Sequence, residues 1–323
     1  MKAIVATQYG PPEVLKLKEI DKPVPKPGQV LVRVRTTSVT AADYRARAFE
    51  IPSRLLWFPA RLALGLLRPR NPILGIDFAG EVEAVGEKVI QYAEGNRVFG
   101  SNAAFGSYAE YVCLPENGPL VPTPDMVSDE EVVSFPFGML TAFYFLRDLA
   151  NVRPGQKVLI YGASGAVGVA SVQYAKCRGA EVTGVCSAAN VELVKALGAD
   201  SVLDYTTEDF TKAGETWDVI FDTVGKTSFL RSKGVLSSNG CYLTTIFGGW
   251  EIIQMIWTSI FGSQRMKCGV AGNTQKDLFH LRTFLEEGRF EAVIDRSYPL
   301  TQIVEAHRYA DQGHKKGNIV ITM

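Results

Sequence analysis

The sequence predicts a two-domain protein of the α/β plus β class, in which a doubly wound parallel-sheet domain is inserted into a β-rich domain. Three observations support this prediction. Residues 2–122 read as short strands separated by Pro and Gly clusters. A middle segment alternates strands with helices, which is typical of parallel strands joined by crossover helices. The length of 323 residues suits two domains of roughly 100 to 200 residues each.

The composition is that of an ordinary globular protein. Apolar residues make up 46% and charged residues 21%, so wholesale disorder is excluded. Lys plus Arg number 34 and so do Asp plus Glu, which leaves no bulk positive field to attract nucleic acid or an anionic bilayer. We therefore expect no nucleic-acid partner.

The cysteines and the hydropathy pattern bound the cellular context. Five widely spaced cysteines without a CxxC pair argue against a disulfide framework and a cysteine-rich zinc lobe. The opening MKAIVATQYG lacks the apolar stretch of a secretion signal. No segment provides the roughly 20 apolar residues of a membrane-spanning helix. The sequence thus predicts a cytoplasmic protein without integral membrane association.

The β-rich domain accounts for the beginning and the end of the chain. Its predicted strands are AIVAT, VLKLKEI, QVLVRVRTTSV, DFAGEVEAVG and NRVFG. The tail adds helices over 275–287 and 301–312 and strands VIDRSYPL and 318–322. We assign 1–123 and 273–323 to this domain.

The inserted domain is predicted over residues 124–272. Ser128 is a plausible N-cap, with three acids in the first turn of a helix that runs to 135. A second helix is predicted over 141–149. The alternation then continues with strand 157–161, helix 167–178, strand 181–186, helix VELVKALG, and strands SVLDY, WDVIFDTV and GCYLTTI.

The strongest chemical signal is the segment VLIYGASGAVG at 158–168, where an apolar strand runs through glycines into a helix. A side chain at Gly165 or Gly168 would obstruct a pyrophosphate or the packing of the helix on the strand. The helix N-terminus offers free amides and a positive dipole end to phosphates. The spacing is GxxGxxG rather than GxGxxG, so a purely structural turn is the alternative. The predicted Rossmann-type dinucleotide contacts are Gly162, Ser164, Gly165, Ala166, Val167 and Gly168.

The choice between nucleotides depends on the end of the second strand. An acid there would accept from the ribose 2′-hydroxyl and repel a 2′-phosphate. The sequence instead reads Cys186, Ser187, Ala188. Ser187, Asn190 and Tyr205 could hold a phosphate by hydrogen bonds, so NADP(H) is predicted over NAD(H).

Together these motifs resemble the medium-chain dehydrogenase/reductase superfamily, and in particular its zinc-free quinone oxidoreductase-like branch. The resemblance covers essentially the whole chain and adds KAIVATQYGPPEVLKLKEI, PILGIDFAGEVEAVG, VTGVCSAANVELVKALGADSVLDY and GNIVIT to the glycine turn. It implies that the β-rich domain is a GroES-like catalytic domain carrying a Rossmann domain. It also places Thr141, Val224, Phe247 and Gly248 near the nicotinamide and its ribose.

The resemblance also raises the question of zinc. Zinc-dependent relatives use a Cys after the third strand and a His-Glu pair within GHExxG. This chain has Val39 and Thr40 at the first place and Ile76 and Asp77 at the second. The three histidines, His280, His307 and His314, have the spacing of surface helix positions. We therefore expect catalysis without a metal.

Without a Lewis acid, hydride delivery to an electron-poor acceptor is easier than oxidation of a simple alcohol. The expected reaction is NADPH-dependent hydride transfer to a quinone or an α,β-unsaturated carbonyl. The resemblance puts Thr40 and Tyr44 in a loop facing the nicotinamide and makes them candidate proton donors. Asp43 is expected to hold that loop by hydrogen bonds. The alternatives are a zinc-free carbonyl reductase or alcohol dehydrogenase, and a non-catalytic NADPH-binding regulatory protein.

Two stretches, 51–67 and 249–262, carry more large apolar side chains than a solvent-facing loop should. Three interpretations remain open: they cover a small hydrophobic electrophilic substrate, they pack in a subunit interface, or they lie on a membrane surface. The resemblance favours a homodimer.

Overall fold

The structure is a computed structural model that describes residues 1–51 and 54–323. Its strands are β1 (Lys2–Ala6), β2 (Leu15–Glu19), β3 (Gln29–Ser38), β4 (Asp77–Val85), β5 (Arg97–Ser101), β6 (Tyr111–Pro115), β7 (Leu120–Pro122), β8 (Lys157–Tyr161), β9 (Glu181–Cys186), β10 (Ser201–Asp204), β11 (Trp217–Asp222), β12 (Leu236–Thr244), β13 (Arg265–Cys268), β14 (Ile294–Pro299) and β15 (Asn318–Thr322).

The α-helices are α1 (Ala41–Ala48), α2 (Arg54–Leu64), α3 (Asp129–Val133), α4 (Pro136–Ala142), α5 (Ala166–Cys177), α6 (Val191–Ala196), α7 (Phe229–Ser232), α8 (Gly249–Ile260), α9 (Gln275–Glu286) and α10 (Ile303–Asp311). A π-helical segment, Phe143–Leu149, continues directly from α4. Within the described part of the chain, no helix has the length and apolar character needed to cross a membrane.

The chain divides into two compact units. The first consists of Met1–Ile51, Phe58–Phe137 and Asn273–Met323, and the main body of the second is Gly138–Gly272. The structure thus keeps residues 124–137 with the first unit, although the sequence analysis assigned them to the inserted domain. The reason is that α3 is tied to the β-rich unit: Thr36 Oγ1 donates to the Asp129 carbonyl at 2.8 Å, and Arg97 Nη2 donates to its carboxylate at 2.7 Å.

The first unit is the GroES-like domain that the sequence predicts, a mixed sheet with helices. Its large sheet has the order β14-β15-β3-β4-β5-β7, with β6 also paired to β3, and a separate hairpin joins β1 and β2. Along β3 the side chains of Val30, Val32 and Val34 are buried in the core, as expected of an alternating strand with one covered face. The C-terminal β15 pairs antiparallel with the end of β3, which fixes the segment that follows Ser38.

Sequence reasoning missed α1 and treated residues 40–44 as a loop. The structure makes Thr40 the N-cap of α1 and Asp43 its N3 residue, in a complete capping box. The motif T-x-x-D was visible in the sequence, but only one turn of an amphipathic pattern follows it, so the pattern alone did not reveal a helix. Tyr44 therefore lies on a helix.

The second unit is a doubly wound parallel sheet, as predicted. Its strand order is β10-β9-β8-β11-β12-β13, and every neighbouring pair is parallel. The chain reverses its direction of winding at β8, which lies between β9 and β11. In such sheets ligands bind beyond the carboxyl ends of the strands at this reversal. The predicted bounds of β8 and β9 are confirmed, and α5 begins one residue earlier than predicted.

Candidate nucleotide site and a buried acid pair

Most of the predicted cofactor residues follow the carboxyl ends of neighbouring parallel strands in the second unit. Gly162 to Gly168 come after β8, Ser187 and Asn190 after β9, Tyr205 after β10, Val224 after β11, and Phe247 and Gly248 after β12. Since the strands are parallel, their carboxyl ends meet at one edge of the sheet. The structure thus gathers these segments at the edge where such folds bind ligands. Thr141 differs from the other predicted cofactor residues, because it is buried in helix α4 and does not follow a strand.

The two glycines at the start of α5 have different roles. A Cβ on Gly168 would lie 2.1 Å from the Gly162 carbonyl oxygen, so this glycine allows the helix to pack on the turn. A Cβ on Gly165 would meet only the same oxygen, at 3.6 Å, which is ordinary contact. Packing therefore does not require a glycine at 165. The open space above it suits a diphosphate, next to helix amides that have no intrahelical acceptors.

Gly162 is required by its own conformation and by the neighbouring loop. Its φ of +82° lies in the left-handed region, and a Cβ there would lie 2.7 Å from a methyl of Val224. The loop after β11 is thus packed against the glycine turn. This close approach holds two segments of the predicted site together.

Asp222, which the sequence analysis did not single out, organises that loop. Its carboxylate, fully buried, accepts hydrogen bonds from the backbone amides of Val224, Gly225 and Thr227 at 3.0, 2.7 and 2.9 Å. Tyr242 also donates its hydroxyl to Asp222, at 3.2 Å. An acid at the last position of a buried strand, two residues before V-G, is the signal that could have found it.

A small polar cluster lies between the glycine turn and the end of β9. Asn190 Nδ2 donates to Ser164 Oγ at 3.0 Å and to Ser187 Oγ at 3.3 Å. Both hydroxyls act as acceptors here and keep their own protons for another partner. Asn190 Oδ1 is buried and has no hydrogen-bond partner among the described residues. The cluster can therefore offer two donors and one acceptor to a bound ribose or phosphate.

One acid does lie near this cluster. Asp204 ends β10, and its carboxylate accepts from the amide and hydroxyl of Thr206 at 3.0 and 2.8 Å. These hydrogen bonds, with a further one from the Ala188 amide, lower the pKa of Asp204. Sequence reasoning searched only the end of the second strand and missed this carboxylate. Tyr205, the next residue, is 49% exposed.

In the first unit, the two candidate proton donors, Thr40 and Tyr44, differ in whether their hydroxyls already donate a hydrogen bond. Thr40 Oγ1 donates to Asp43 Oδ2 at 2.6 Å, and the Thr40 amide donates to the same oxygen at 2.8 Å. Asp43 Oδ1 accepts from the Gly75 amide at 3.1 Å. The prediction that Asp43 holds this segment is confirmed. The hydroxyl of Tyr44 makes no hydrogen bond to the described residues, and burial raises its pKa, so it keeps its proton.

Two fully buried carboxyls lie in this part of the unit. Burial raises the pKa of Asp43 to about 6 and that of Asp77 to about 7, and the negative charge of Asp43 adds to the second shift. Asp77 Oδ2 accepts from Ser38 Oγ and from the Phe137 amide, both at 3.2 Å. Asp77 Oδ1 has no hydrogen-bond partner within residues 1–51 and 54–323. The pair can hold a proton near neutral pH.

The prediction that all three histidines occupy surface helix positions is wrong for His307, which is buried, and for His314, which lies beyond the end of α10 at Asp311. His307 is fully buried, with Arg47 at 3.1 Å from Nδ1 and the Tyr108 hydroxyl at 3.1 Å from Nε2. Arg47 comes from 260 residues earlier in the chain, so the local sequence could not reveal the partner. His314 is exposed, and His280 stacks on Phe284.

The residues around Asp77 do not fit a catalytic zinc ion. Ile76 and Val39 supply no ligand atom where zinc-dependent relatives have them. Within the described ranges, no group of three or more His, Cys, Asp or Glu side chains could hold a metal ion.

Comparison with known families matches both units. Residues 26–125 match the family "Alcohol dehydrogenase GroES-like domain", and residues 197–321 match the family "Zinc-binding dehydrogenase". The fold and the strand-end site together are those of a two-domain oxidoreductase that uses a nicotinamide cofactor.

Three similar proteins narrow the class. A chloroplastic quinone-oxidoreductase homologue from Spinacia oleracea is 29% identical, over 99% of this chain and 98% of its own. A 2-methylene-furan-3-one reductase from Solanum lycopersicum is 29% identical, over 99% of this chain and 79% of its own. The structure of a quinone oxidoreductase from Coxiella burnetii superimposes with a TM-score of 0.86 at 29% identity, covering 100% of this chain and 99% of its own. The chain belongs to the medium-chain dehydrogenase/reductase superfamily, in its quinone oxidoreductase-like branch.

Proposed function

We propose that the protein is an NADPH-dependent reductase of quinones and α,β-unsaturated carbonyls that works without a metal ion. The observation that carries this proposal is the turn between β8 and α5, where Gly165 leaves space that packing does not need. The free hydroxyl protons of Ser164 and Ser187 lie beside it. The two relatives named for quinone and enone-type reduction support the class of acceptor.

The hydroxyl cluster supports NADP(H) as the nucleotide. A 2′-phosphate only accepts hydrogen bonds, so it needs donors. Ser164 and Ser187 have protons available because both accept from Asn190, and Tyr205 adds a third hydroxyl. The unpartnered Asn190 Oδ1 can accept from a ribose hydroxyl. The negative charge of Asp204 opposes a phosphate, although its hydrogen bonds to Thr206 partly offset that charge.

The chain's own residues contribute binding, alignment and a proton. When bound, a reduced nicotinamide supplies a hydride from its C4. Reduction of a quinone or an activated alkene also requires one proton at the acceptor, and Tyr44 is proposed to supply it because its hydroxyl keeps its proton. The phenolate that results is reprotonated from water. Thr40 is proposed to position α1 through Asp43, since its own proton is used in that contact.

The proposal of metal independence rests on the residues themselves. Asp77 accepts from Ser38 and from the Phe137 amide, so its carboxyl serves the interior of the first unit. An electron-poor acceptor needs no Lewis acid to receive a hydride, whereas a simple alcohol must lose a proton that a metal would make more acidic. Thr141, Val224, Phe247 and Gly248 remain proposed nicotinamide contacts. The homodimer and the cytoplasmic location stay predictions.

Binding and turnover together test the proposal. Titration calorimetry with NADPH and with NADH should show binding, with NADPH tighter. A spectrophotometric panel of quinones, enones, aldehydes and alcohols after chelator dialysis should show NADPH consumption with the first two classes. Binding without consumption would favour the non-catalytic alternative. Aldehyde reduction that depends on stoichiometric zinc would favour the dehydrogenase alternative, and no heat with either nucleotide would overturn the redox assignment.

A further inference from the structure

Helix α8 exposes an unusually apolar face. Its inner side packs on the core of the second unit through Ile252 and Met255, and Thr258 is buried. The outer side exposes large apolar residues with half or more of their surface in water, namely Trp250, Ile253, Ile256, Trp257 and Ile260. A contiguous face of this kind on a soluble unit marks a binding surface.

Part of this face forms one wall of a groove. Trp250, Ile253 and Trp257 line it from α8, and Phe229 and Leu230 line it from α7. The groove has a volume of about 540 Å³, which lies within the range of roughly 300 to 1,000 Å³ that is typical of small-molecule sites. Its two apolar walls suit a chain-shaped apolar ligand.

The groove also has a defined charge. Lys233 is the one charged side chain among its lining residues, and it forms no ion pair with the described residues. The other charges on the same elements are engaged elsewhere. Arg231 pairs with Asp209 at 3.0 Å, and Glu251 accepts from the Gly248 amide at 2.8 Å. The described lining is therefore mainly apolar, with one positive charge at Lys233 and four uncharged polar residues, Gln254, Thr258, Ser263 and Gln264.

We propose that this groove binds a long-chain carboxylate, with the alkyl chain between α8 and the Phe229–Leu230 wall and the carboxylate at Lys233. An apolar chain with one negative end complements the lining in both respects. The groove residues follow the strand-end segments assigned to the nucleotide by only a few positions, Phe229 after Val224 and Trp250 after Gly248, but their ligand needs no redox chemistry. The proposal therefore stands independently of the proposed function.

The same observations argue against two other occupants. A bilayer contacts a convex or flat surface over a broad area, whereas the residues here line a groove. A second copy docked about a two-fold axis would place the same patch opposite itself. Each Lys233 would then face a groove whose described lining contains no acid. A free carboxylate meets both the shape and the charge.

A chain-length series tests the apolar part of the site. Calorimetry without nucleotide would compare C8, C10, C12 and C14 carboxylates below their micelle concentrations. Each buried methylene should tighten binding by about threefold to fourfold until the groove is filled. The matched C12 alcohol should bind more weakly than the C12 carboxylate.

Paired variants test the charge and the wall. Lys233→Gln should weaken the carboxylate by about twofold to fivefold, as for a partly exposed ion pair, and should leave the alcohol unchanged. Lys233→Arg should retain most of the affinity, and Lys212→Gln, an exposed lysine outside the lining, is the matched control. Trp257→Ser should weaken the acid and the alcohol alike. Circular dichroism and the melting temperature verify that each variant is folded.

Several outcomes would overturn the proposal. Equal affinity of Lys233→Gln and wild type for the carboxylate would do so, as would affinity without dependence on chain length. Binding only to anionic phosphatidylserine vesicles, with none to monomeric carboxylates, would assign the face to a membrane. Sedimentation showing a dimer that Trp257→Ser dissociates, together with no carboxylate binding, would assign it to a second copy.

Discussion

Arg47 fixes the protonation state of His307. A guanidinium has no acceptor atom, so Arg47 Nη1, at 3.1 Å, must donate to His307 Nδ1. The imidazole proton is then on Nε2, which donates to the Tyr108 hydroxyl at 3.1 Å. Burial, with the Arg47 charge as a second cause, lowers the pKa of His307 to about 3. A neutral histidine thus joins α1 to α10 in the interior of the first unit.

Replacing His307 should destabilise the protein. In His307→Gln the new side chain cannot serve both neighbours in the same geometry, so Arg47 or Tyr108 loses a buried partner. We expect a loss of about 2 to 4 kcal/mol in the free energy of unfolding, measured by urea denaturation at pH 8. The exposed His314→Ala is the control and should change stability by less than about 0.5 kcal/mol.

The same variant should change the acid sensitivity of folding. Below pH 6.5 the unfolded chain protonates His307, but the folded state does not until pH falls to about 3. Wild type therefore loses stability from this group as pH falls through that window, by up to about 1.4 kcal/mol per unit. His307→Gln lacks this loss. The difference in the free energy of unfolding between wild type and His307→Gln should therefore become smaller as pH falls. A difference that stays constant from pH 8 to pH 4.5 would contradict the neutral buried histidine.

The two glycines of the turn should separate folding from binding. Gly168→Ala places a methyl against the Gly162 oxygen, so we expect a loss of roughly 2 kcal/mol or more in stability. Gly165→Ala should leave the melting temperature within a few degrees but weaken NADPH by about tenfold or more. Thermal unfolding and calorimetry measure the two effects. Unchanged NADPH affinity in Gly165→Ala would remove the diphosphate from this turn.

The buried carboxyl of Asp77 should lower the free energy of unfolding as pH rises from about 4 to about 7. Its pKa rises from 3.8 to about 7 on folding, so the folded state holds a proton that the unfolded chain has released. Stability from this group is complete below pH 4 and falls as pH rises to about 7. Asp77→Asn removes the penalty, and its stability relative to wild type should increase over this window by up to about 1.4 kcal/mol per unit.

Denaturant titrations at several pH values measure this trend. Asp125→Asn, at an exposed position, should show no such increase. Asp43 titrates in the same range and is present in all three proteins, so it does not contribute to the difference to first order. A pH-independent difference between Asp77→Asn and wild type would show that this carboxyl does not titrate on folding.

The two hydroxyls proposed for catalysis should respond differently. Tyr44→Phe should lower kcat for quinone reduction by about tenfold or more and leave the dissociation constant of NADPH unchanged. Thr40→Val removes the capping hydroxyl of α1, so we expect a loss of about 1 kcal/mol in stability with a smaller change in kcat. Thr40→Ser restores the hydroxyl and serves as the matched control. Full turnover in Tyr44→Phe would exclude it as the proton donor.

Sequence patterns were sufficient where a feature is local. The apolar run before Gly162 and the small residues after it determine β8, the turn and α5 almost to the residue. The N-cap Ser128 and the three acids after it likewise predicted α3, whose start at Asp129 the structure confirms. These features depend on neighbours within a few positions, so a single sequence contains the information that specifies them.

Features that join distant segments were not predictable in the same way. In the sequence His307 is a single polar residue in a helical pattern. Its role as a buried hydrogen-bond acceptor depends on Arg47 of α1, which is distant in the chain. Asp204 lies beside the end of β9 because its strand pairs there in parallel, although it is 17 residues past Ser187 in the sequence. The helix after Thr141 was predicted too late, because Pro136 begins α4 as a permitted first-turn proline.

The carboxylate of Asp222 has a consequence for how tightly a ligand can associate at that edge of the sheet. Its hydrogen bonds to successive amides of the following loop hold Val224 and Gly225 in one conformation without any ligand. A ligand that binds there loses little free energy to ordering of the loop, because the loop is already ordered when the protein folds. Association should accordingly be fast, and its heat capacity change should reflect buried surface alone.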